Sequence, residues 1–387
     1  MRTSREIAVP EAVGIDAGKL TALLARARRE VDEGLLPACQ VAVAKDGCLV
    51  AFETYGDASS RDRFLMYSST KGFVAAAVWK LLSEEQLRVE QRVAELVPEF
   101  GSSGKDAITV EQVMLHTAGF PSAFLNPFDW DDREKRLATF AEWPLEWEPG
   151  SRYLYHALSS GCVQAELIER VTGRDFREYL QSEIVRPLGL EAFRLGVPGA
   201  EQGDVMDVVL CGEPVTAEEL NAAWGIPEVP AGWLSQELLL FLNDPRVREI
   251  GIPAGGAVST AADVAMFYQH VLANTDGLWS RNVLDRSVDR ANDMPDDLGV
   301  PTSRGWGIQV CGPSPGTGDF GWWYGFGRGN SPRAFGHDGA GGQIAWADPE
   351  TRVSFCYLTN GLDENILRQK RRLLAIGSRA AALTLSA

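Results

Sequence analysis

Apolar positions are spaced differently in the two ends of this chain and in its middle. Over residues 16–33, Leu20, Leu23, Leu24 and Ala27 recur on one helical face, with Asp16 placed to cap the start and Gly34 to stop the end. Two short apolar runs follow, 40–44 and 48–52, joined by Lys45-Asp46-Gly47; this spacing predicts strand, turn, strand. Residues 73–82 are Ala-rich and apolar on every side, which predicts a buried helix. From about Leu81 to Ile250 the pattern is helical. Helices are expected over 84–96 before Pro98, over 109–115 behind a Thr109 cap, over 159–172 up to Gly173, and over 176–185 before Pro187. Another is expected over 260–274, capped by Ser259 or Thr260. Strand-like runs then return at 305–310, 342–347 and 352–358, and a helix over 364–382 closes the chain. Strands at both ends around a helical middle predict an α+β architecture. One antiparallel sheet is assembled from the two terminal parts, with a mostly helical region inserted. The expected division is 1–75 with 300–387 as the sheet-bearing region and 76–299 as the helical one, with the active site between them.

Composition narrows the class. The chain has 387 residues, 45% of them hydrophobic, enough for a large core. Its net charge of −16 argues against nucleic acid and anionic membrane surfaces as partners. No apolar run reaches membrane-spanning length, and residues 1–10 lack the apolar core of an export signal. The six cysteines are scattered without paired spacing, so reduced thiols and a cytoplasmic location are expected. The four histidines, His116, His156, His270 and His337, show no metal-motif spacing, so no metal is expected.

The candidate chemistry starts at Met66-Tyr67-Ser68-Ser69-Thr70-Lys71, just before the buried helix. In the first turn of that helix Ser68 and Lys71 would share a face, and a hydroxyl beside an amine is a usable nucleophile–base pair. The positive end of the helix opposes protonation of Lys71, as a lysine base near neutral pH requires. On its own, Ser-x-x-Lys is better read as a capped helix with a solvated lysine.

Three further stretches change that: Leu115-His116-Thr117-Ala118-Gly119, Pro149 to Leu158, and Gly336-His337-Asp338-Gly339-Ala340-Gly341-Gly342. With the Ser68 motif, and in this order, they resemble the serine β-lactamase and penicillin-binding-protein superfamily, closest to its class C-like branch and the family VIII carboxylesterases. The resemblance runs from about Pro10 to Gly361. It implies a β-lactamase-like fold in which Ser68 attacks a carbonyl and forms an acyl-enzyme while Lys71 takes or shuttles the proton. Tyr155 falls on the tyrosine of the family's Tyr-x-Asn block and would serve as base and acid, with Tyr153 as the alternative. The backbone N–H groups of Ser68 and Ala340 would form the oxyanion hole. Gly339 would let the backbone approach substrate closely, and His337 would border the site and steer Tyr155. His116 is read as structural, and His156 is expected to point away from the site.

Two departures shape the expected substrate. Ala157 stands where the family's lactamases carry the Asn that binds a substrate amide, and His337 replaces a permanently charged lysine. Both disfavour lactams and cell-wall peptides and favour a small-molecule ester with apolar parts. Apolar walls are expected from the 318–328 loop, with Phe320, Trp322, Trp323, Tyr324 and Phe326, and from 124–130. A carboxylesterase needing no cofactor is therefore expected. An acyltransferase or an amide or lactam hydrolase would use the same acyl-enzyme. A non-catalytic binding protein of the same fold is the reading from another class; Ala157 and Asp338 favour it, and Ser68, Lys71 and Tyr155 together oppose it.

Overall fold

The two ends of the chain do share one sheet. The computed structural model describes residues 7–226, 228, 236–296, 299, 302–312 and 326–385. In chain order the elements that position the site are α1 (Ala17–Asp32), β1 (Ala38–Lys45), β2 (Cys48–Gly56), α2 (Thr70–Ser83), α3 (Ser159–Thr172), α4 (Ala261–Ala273), β3 (Arg304–Gly305), β4 (Ile308–Val310), β5 (Phe335–Gly336), β6 (Ile344–Asp348), β7 (Val353–Thr359) and α5 (Ile366–Ala381). The strands form a seven-stranded sheet in the order β2-β1-β7-β6-β5-β4-β3, each pair antiparallel. The fold is α+β, as expected, with helices on both sheet faces.

Period-two alternation sorts side chains between those faces. Val41, Val43, Phe355 and Tyr357 join the core under α1 and α5, whereas Ala42, Ala44, Cys356 and Leu358 join the larger core containing α2 and α4. The β1–β2 turn has Asp46 at φ 53 and Gly47 at φ 79, the left-handed pair that a two-residue hairpin demands. The Asp16 carboxylate accepts from Lys19 N at 3.0 Å and caps α1 as the sequence predicts. In α2, twelve of fourteen residues are buried, so it is a central helix rather than an amphipathic one. Phe73 stacks between Phe193 and Phe267, at ring separations of 4.2 and 3.9 Å.

Three local expectations change. The helix expected over 84–96 is helical only at Val93–Leu96, because α2 ends at Ser83 and Glu85 turns left-handed at φ 57. Leu87 and Val89, spaced by two, are both buried there on a non-helical segment. The strand expected over 305–310 is instead a tight hairpin, with Gly305 paired to Ile308 and Gly307 at φ 75. Its tip presses on α2: a Cβ at Gly307 would lie 2.6 Å from the Ala75 Cβ. The helical middle also carries small sheets. Phe64–Leu65 and Arg194–Leu195 flank Ala257–Ser259, and Val209–Cys211 pairs in parallel with Gly361–Asp363. Such strands are too short to show a period-two pattern. Among the described residues no helix is long and apolar enough to cross a membrane.

Candidate active site

The centre forms where the small Phe64–Leu65 strand runs into α2. Ser68 lies not in the first α-helical turn but in a 3-10 turn, Tyr67–Ser69, directly before it. Tyr67 is left-handed at φ 47, a costly conformation for a bulky residue; it is buried, and its hydroxyl donates to Leu239 O at 3.4 Å. Of three consecutive hydroxyls, two are committed elsewhere: Ser69 Oγ donates to His337 O at 2.8 Å, and Thr70 Oγ1 accepts from Ala257 N at 3.1 Å. Ser69 and Thr70 are buried, and Ser68 alone of the three is half-exposed.

Lys71 Nζ donates to Ser68 Oγ at 3.1 Å and to Ala254 O at 2.7 Å. Only 3% of Lys71 is exposed, and among its partners is no carboxylate. Burial first, then the positive charge of Arg304, pull its pKa down to about 7, against an opposing pull from Asp338 and Cys162. The amine is therefore neutral in a large share of molecules at neutral pH, as a proton acceptor must be.

Tyr155, not Tyr153, is brought to this pair. Its ring centroid is 5.1 Å from Lys71 Nζ, and its buried hydroxyl faces Ser68 but stops short of a hydrogen bond of good geometry. Burial pushes the phenol far above its ordinary pKa, with Arg304 and Ser68 pulling the other way, so the protonated form prevails. Tyr153 Oη instead accepts from Arg304 Nε at 3.0 Å. The Tyr155 ring is flanked by His116, at 4.8 Å, and by His337, at 6.0 Å. His116 Nδ1 accepts from His156 N at 3.2 Å. His156 Nε2 accepts from Phe120 N at 3.0 Å and its Nδ1 donates to Leu154 O at 2.6 Å, so both ring nitrogens serve the backbone.

His337 is 1% exposed and sits behind Tyr155. Its Nδ1 donates to Asp338 O at 2.8 Å, which leaves Nε2 as the acceptor facing Arg304 Nη1 at 3.4 Å. Burial, then Arg304, hold it well below the usual histidine pKa, so it is neutral. Asp338 is fixed by Gln309 of β4, whose amide donates to Oδ1 at 2.6 Å and accepts from the Asp338 N–H at 3.0 Å.

Gly339 has φ −128 and ψ 151, and a Cβ there would lie 2.3 Å from Met66 O. The next residue, Ala340, opens a 3-10 turn, Ala340–Gly342, packed against the Ser68 turn. Among the described residues, neither the Ser68 nor the Ala340 N–H donates to a backbone carbonyl. Trp323, with Phe320, Trp322 and Tyr324, lies outside the described residues. Phe326 is buried under the other sheet face. In the 124–130 segment Leu125 and Trp130 are buried, while Phe124 and the edge of Phe128 are exposed; Phe128 meets Phe241 at 5.8 Å.

One residue escaped the sequence reading. Arg304 opens β3, is 2% exposed, and lies with its guanidinium 5.0 Å from the Tyr155 ring. A permanent positive charge therefore lies beside the Tyr155 ring, supplied from β3. The available signal was its place just before Gly305-Trp306-Gly307, whose glycines allow the hairpin to dock.

The sequence profile described as Beta-lactamase matches residues 24–377. The chain is 28% identical over 316 residues to a Mycobacterium tuberculosis protein called esterase/beta-lactamase LipL, covering 77% of this chain and 69% of that one. Among solved structures it is similar to a penicillin-binding protein homolog from Caulobacter crescentus, with a TM-score of 0.75, 25% identity, and 95% and 98% of the two chains covered. It superposes equally well on a structure described as a family VIII carboxylesterase, with a TM-score of 0.75, 24% identity, and 95% and 99% covered.

Proposed function

Because the chain belongs to the β-lactamase family, we propose that it is a carboxylesterase for small or medium apolar esters, working through an acyl-enzyme on Ser68. It is a serine hydrolase of the β-lactamase and penicillin-binding-protein superfamily. The observation that carries the finer reading is the Lys71–Ser68 contact at 3.1 Å, with the lysine buried and its pKa drawn to about 7.

In this reading the neutral Lys71 amine takes the Ser68 proton as Oγ attacks the ester carbonyl. The N–H groups of Ser68 and Ala340 hold the resulting oxyanion. Tyr155 keeps its proton in the resting enzyme, so it acts as a relay: it donates to the leaving alkoxide and is reprotonated from Lys71. The alcohol departs and leaves an acyl-serine. Water then gives a proton to the Lys71–Tyr155 pair, attacks the acyl carbon, and releases the carboxylic acid with Ser68 restored. His116 and His337 fix the Tyr155 ring, and Gly339 admits the backbone approach that brings Ala340 to Ser68.

Preference for an ester rests on three supports. Ala157 offers no side-chain hydrogen bond to an amide. Phe124 and Phe128 of the 124–130 segment expose apolar side chains. One relative is named an esterase and one structural neighbour a carboxylesterase. A cytoplasmic location is part of the same proposal, supported by six cysteines that are all free thiols. So is the division into a sheet-bearing region, 1–75 with 300–387, and a helical region, 76–299, with the cleft between them.

The test uses the unaltered protein. It should hydrolyse p-nitrophenyl acetate and butyrate, and a fluorophosphonate should add to one residue, Ser68, located by peptide mass. An adduct on any other residue, or ester turnover that persists after complete Ser68 labelling, overturns the proposal.

A further inference from the structure

The mechanism above leaves one buried charge without a task. The Arg304 guanidinium is fixed on two sides, by Tyr153 Oη at 3.0 Å from Nε and by His337 Nε2 at 3.4 Å from Nη1. Its central carbon lies 5.0 Å from the centroid of the Tyr155 ring, and Lys71 Nζ lies 5.1 Å from the same centroid. The backbone is equally fixed: Arg304 N donates to Asn292 O, Arg304 O accepts from Ala291 N, and Gln309 is its cross-strand partner. A hairpin tip pressed on α2 carries this arginine, so its position is coupled to the helix that carries Lys71.

Building on the acyl-enzyme reading, we propose that Arg304 is a positioning residue: its buried guanidinium holds the Tyr155 ring and the His337 tautomer in place and sets a fixed positive charge against the same ring that Lys71 approaches.

The surroundings of Lys71 make the sign unambiguous. The charged and titratable groups acting on it or held near it are Arg304 from β3, Asp338 and His337 after β5, His116 and Tyr155 from loops before α3, and Cys162 from α3. Burial holds both imidazoles well below their ordinary pKa and therefore neutral, pushes the Cys162 thiol up to about 12, and keeps the phenol protonated. What remains beside Lys71 is one guanidinium and one carboxylate, and that carboxylate also feels the ammonium group of Lys370 on α5. Asp338 favours the ammonium form of Lys71 and Arg304 opposes it. If the arginine charge is removed, burial alone is left to oppose the ammonium form against the pull of Asp338, and Lys71 binds its proton more tightly. The neutral base is then reached only at higher pH. Burial, the larger cause, still holds both imidazoles neutral when the guanidinium is gone, so neither replaces that charge.

The experiment compares kcat/KM for p-nitrophenyl butyrate against pH in the unaltered protein and in Arg304→Gln, Arg304→Met and Arg304→Lys, with fluorophosphonate labelling of Ser68 alongside. The acidic limb of Arg304→Gln and Arg304→Met should move up by about one pH unit, giving a roughly tenfold lower kcat/KM near about pH 6 and little change near about pH 9. Arg304→Lys should return the limb to its original place. A purely structural role would lower the rate at every pH, and lysine would not restore the profile. Neutral variants that label at Ser68 and keep the original limb overturn this inference and leave the acyl-enzyme reading standing. If the neutral variants do not fold, a displaced limb in folded Arg304→Lys overturns it instead. Failure of the unaltered protein to label at Ser68 removes the underlying reading.

Discussion

Replacing Lys71 by alanine should lower kcat/KM for p-nitrophenyl esters by about 10⁴-fold, the upper end of what a positioned base contributes. The whole of that range is expected because the amine has two tasks. It accepts the Ser68 proton, and at 3.1 Å it also orients Oγ. No second base stands ready. Burial and the neighbouring guanidinium keep His116 and His337 neutral, but His337 Nδ1 is committed to Asp338 O and His116 Nδ1 to His156 N. Tyr155 is a phenol whose pKa is pushed far up, so it holds its own proton. The fold should not suffer. An amine with 3% exposure and no carboxylate partner is costly to bury, so Lys71→Ala should melt at the same temperature or higher. The unaltered enzyme carries the matching signature in its pH profile. Lys71 must be neutral to accept a proton, and its pKa is about 7, so kcat/KM should rise with pH through that value and fall about tenfold per unit below it. Near-normal turnover by Lys71→Ala, or an acidic limb far from neutrality, would assign the proton to another group.

The parts of the fold that were legible in the sequence are those in which one local rule decides. Asp16 caps α1 because a carboxylate before a helix has one obvious use, and Asp46-Gly47 closes the first hairpin because both residues tolerate a left-handed backbone. Gly173 at φ 69 stops α3 for the same reason. Illegible parts depended on distant segments. Glu85 leaves the helical path although the local composition favours it, and no local rule marks the β3–β4 hairpin, whose Gly307 is needed because Ala75 of α2 lies beneath it. The site divides in the same way. Ser68 and Lys71 are three apart and meet through one turn, so their spacing reads directly from the chain. Tyr155 joined them only through the resemblance, since nothing local separates it from Tyr153. Arg304 was invisible because its role is set by what surrounds it: a guanidinium at 2% exposure between two tyrosines and a histidine looks, in sequence, like any arginine opening a strand.

The backbone of the site allows a sharper test than most proposed oxyanion holes, because the Ala340 donor can be deleted with little other disturbance. Proline lacks the N–H, fixes φ near −65°, and is best tolerated at the first position of a helical turn, where the N–H has no partner within the turn. Ala340 occupies that position in Ala340–Gly342. The residue before a proline is driven into the extended region, and Gly339 already lies there at φ −128 and ψ 151. Among the described residues the Ala340 N–H has no backbone acceptor, so Ala340→Pro breaks no backbone hydrogen bond of the fold. Its melting temperature should stay within a few degrees of the unaltered protein. If this N–H meets the oxyanion, kcat should fall about 10²–10³-fold, about 3–4 kcal/mol, with KM little changed, because the donor acts on charge that develops only in the transition state. Gly339→Ala gives the complementary result. Its backbone angles suit alanine, so its cost is steric: the new Cβ would lie 2.3 Å from Met66 O and 2.9 Å from Gln343 Cβ, which must push the 340 segment away from the serine turn. Both variants should lose kcat, but only Gly339→Ala should also lose thermal stability. An Ala340→Pro enzyme with normal kcat would place the oxyanion elsewhere and with it the orientation of the ester in the cleft.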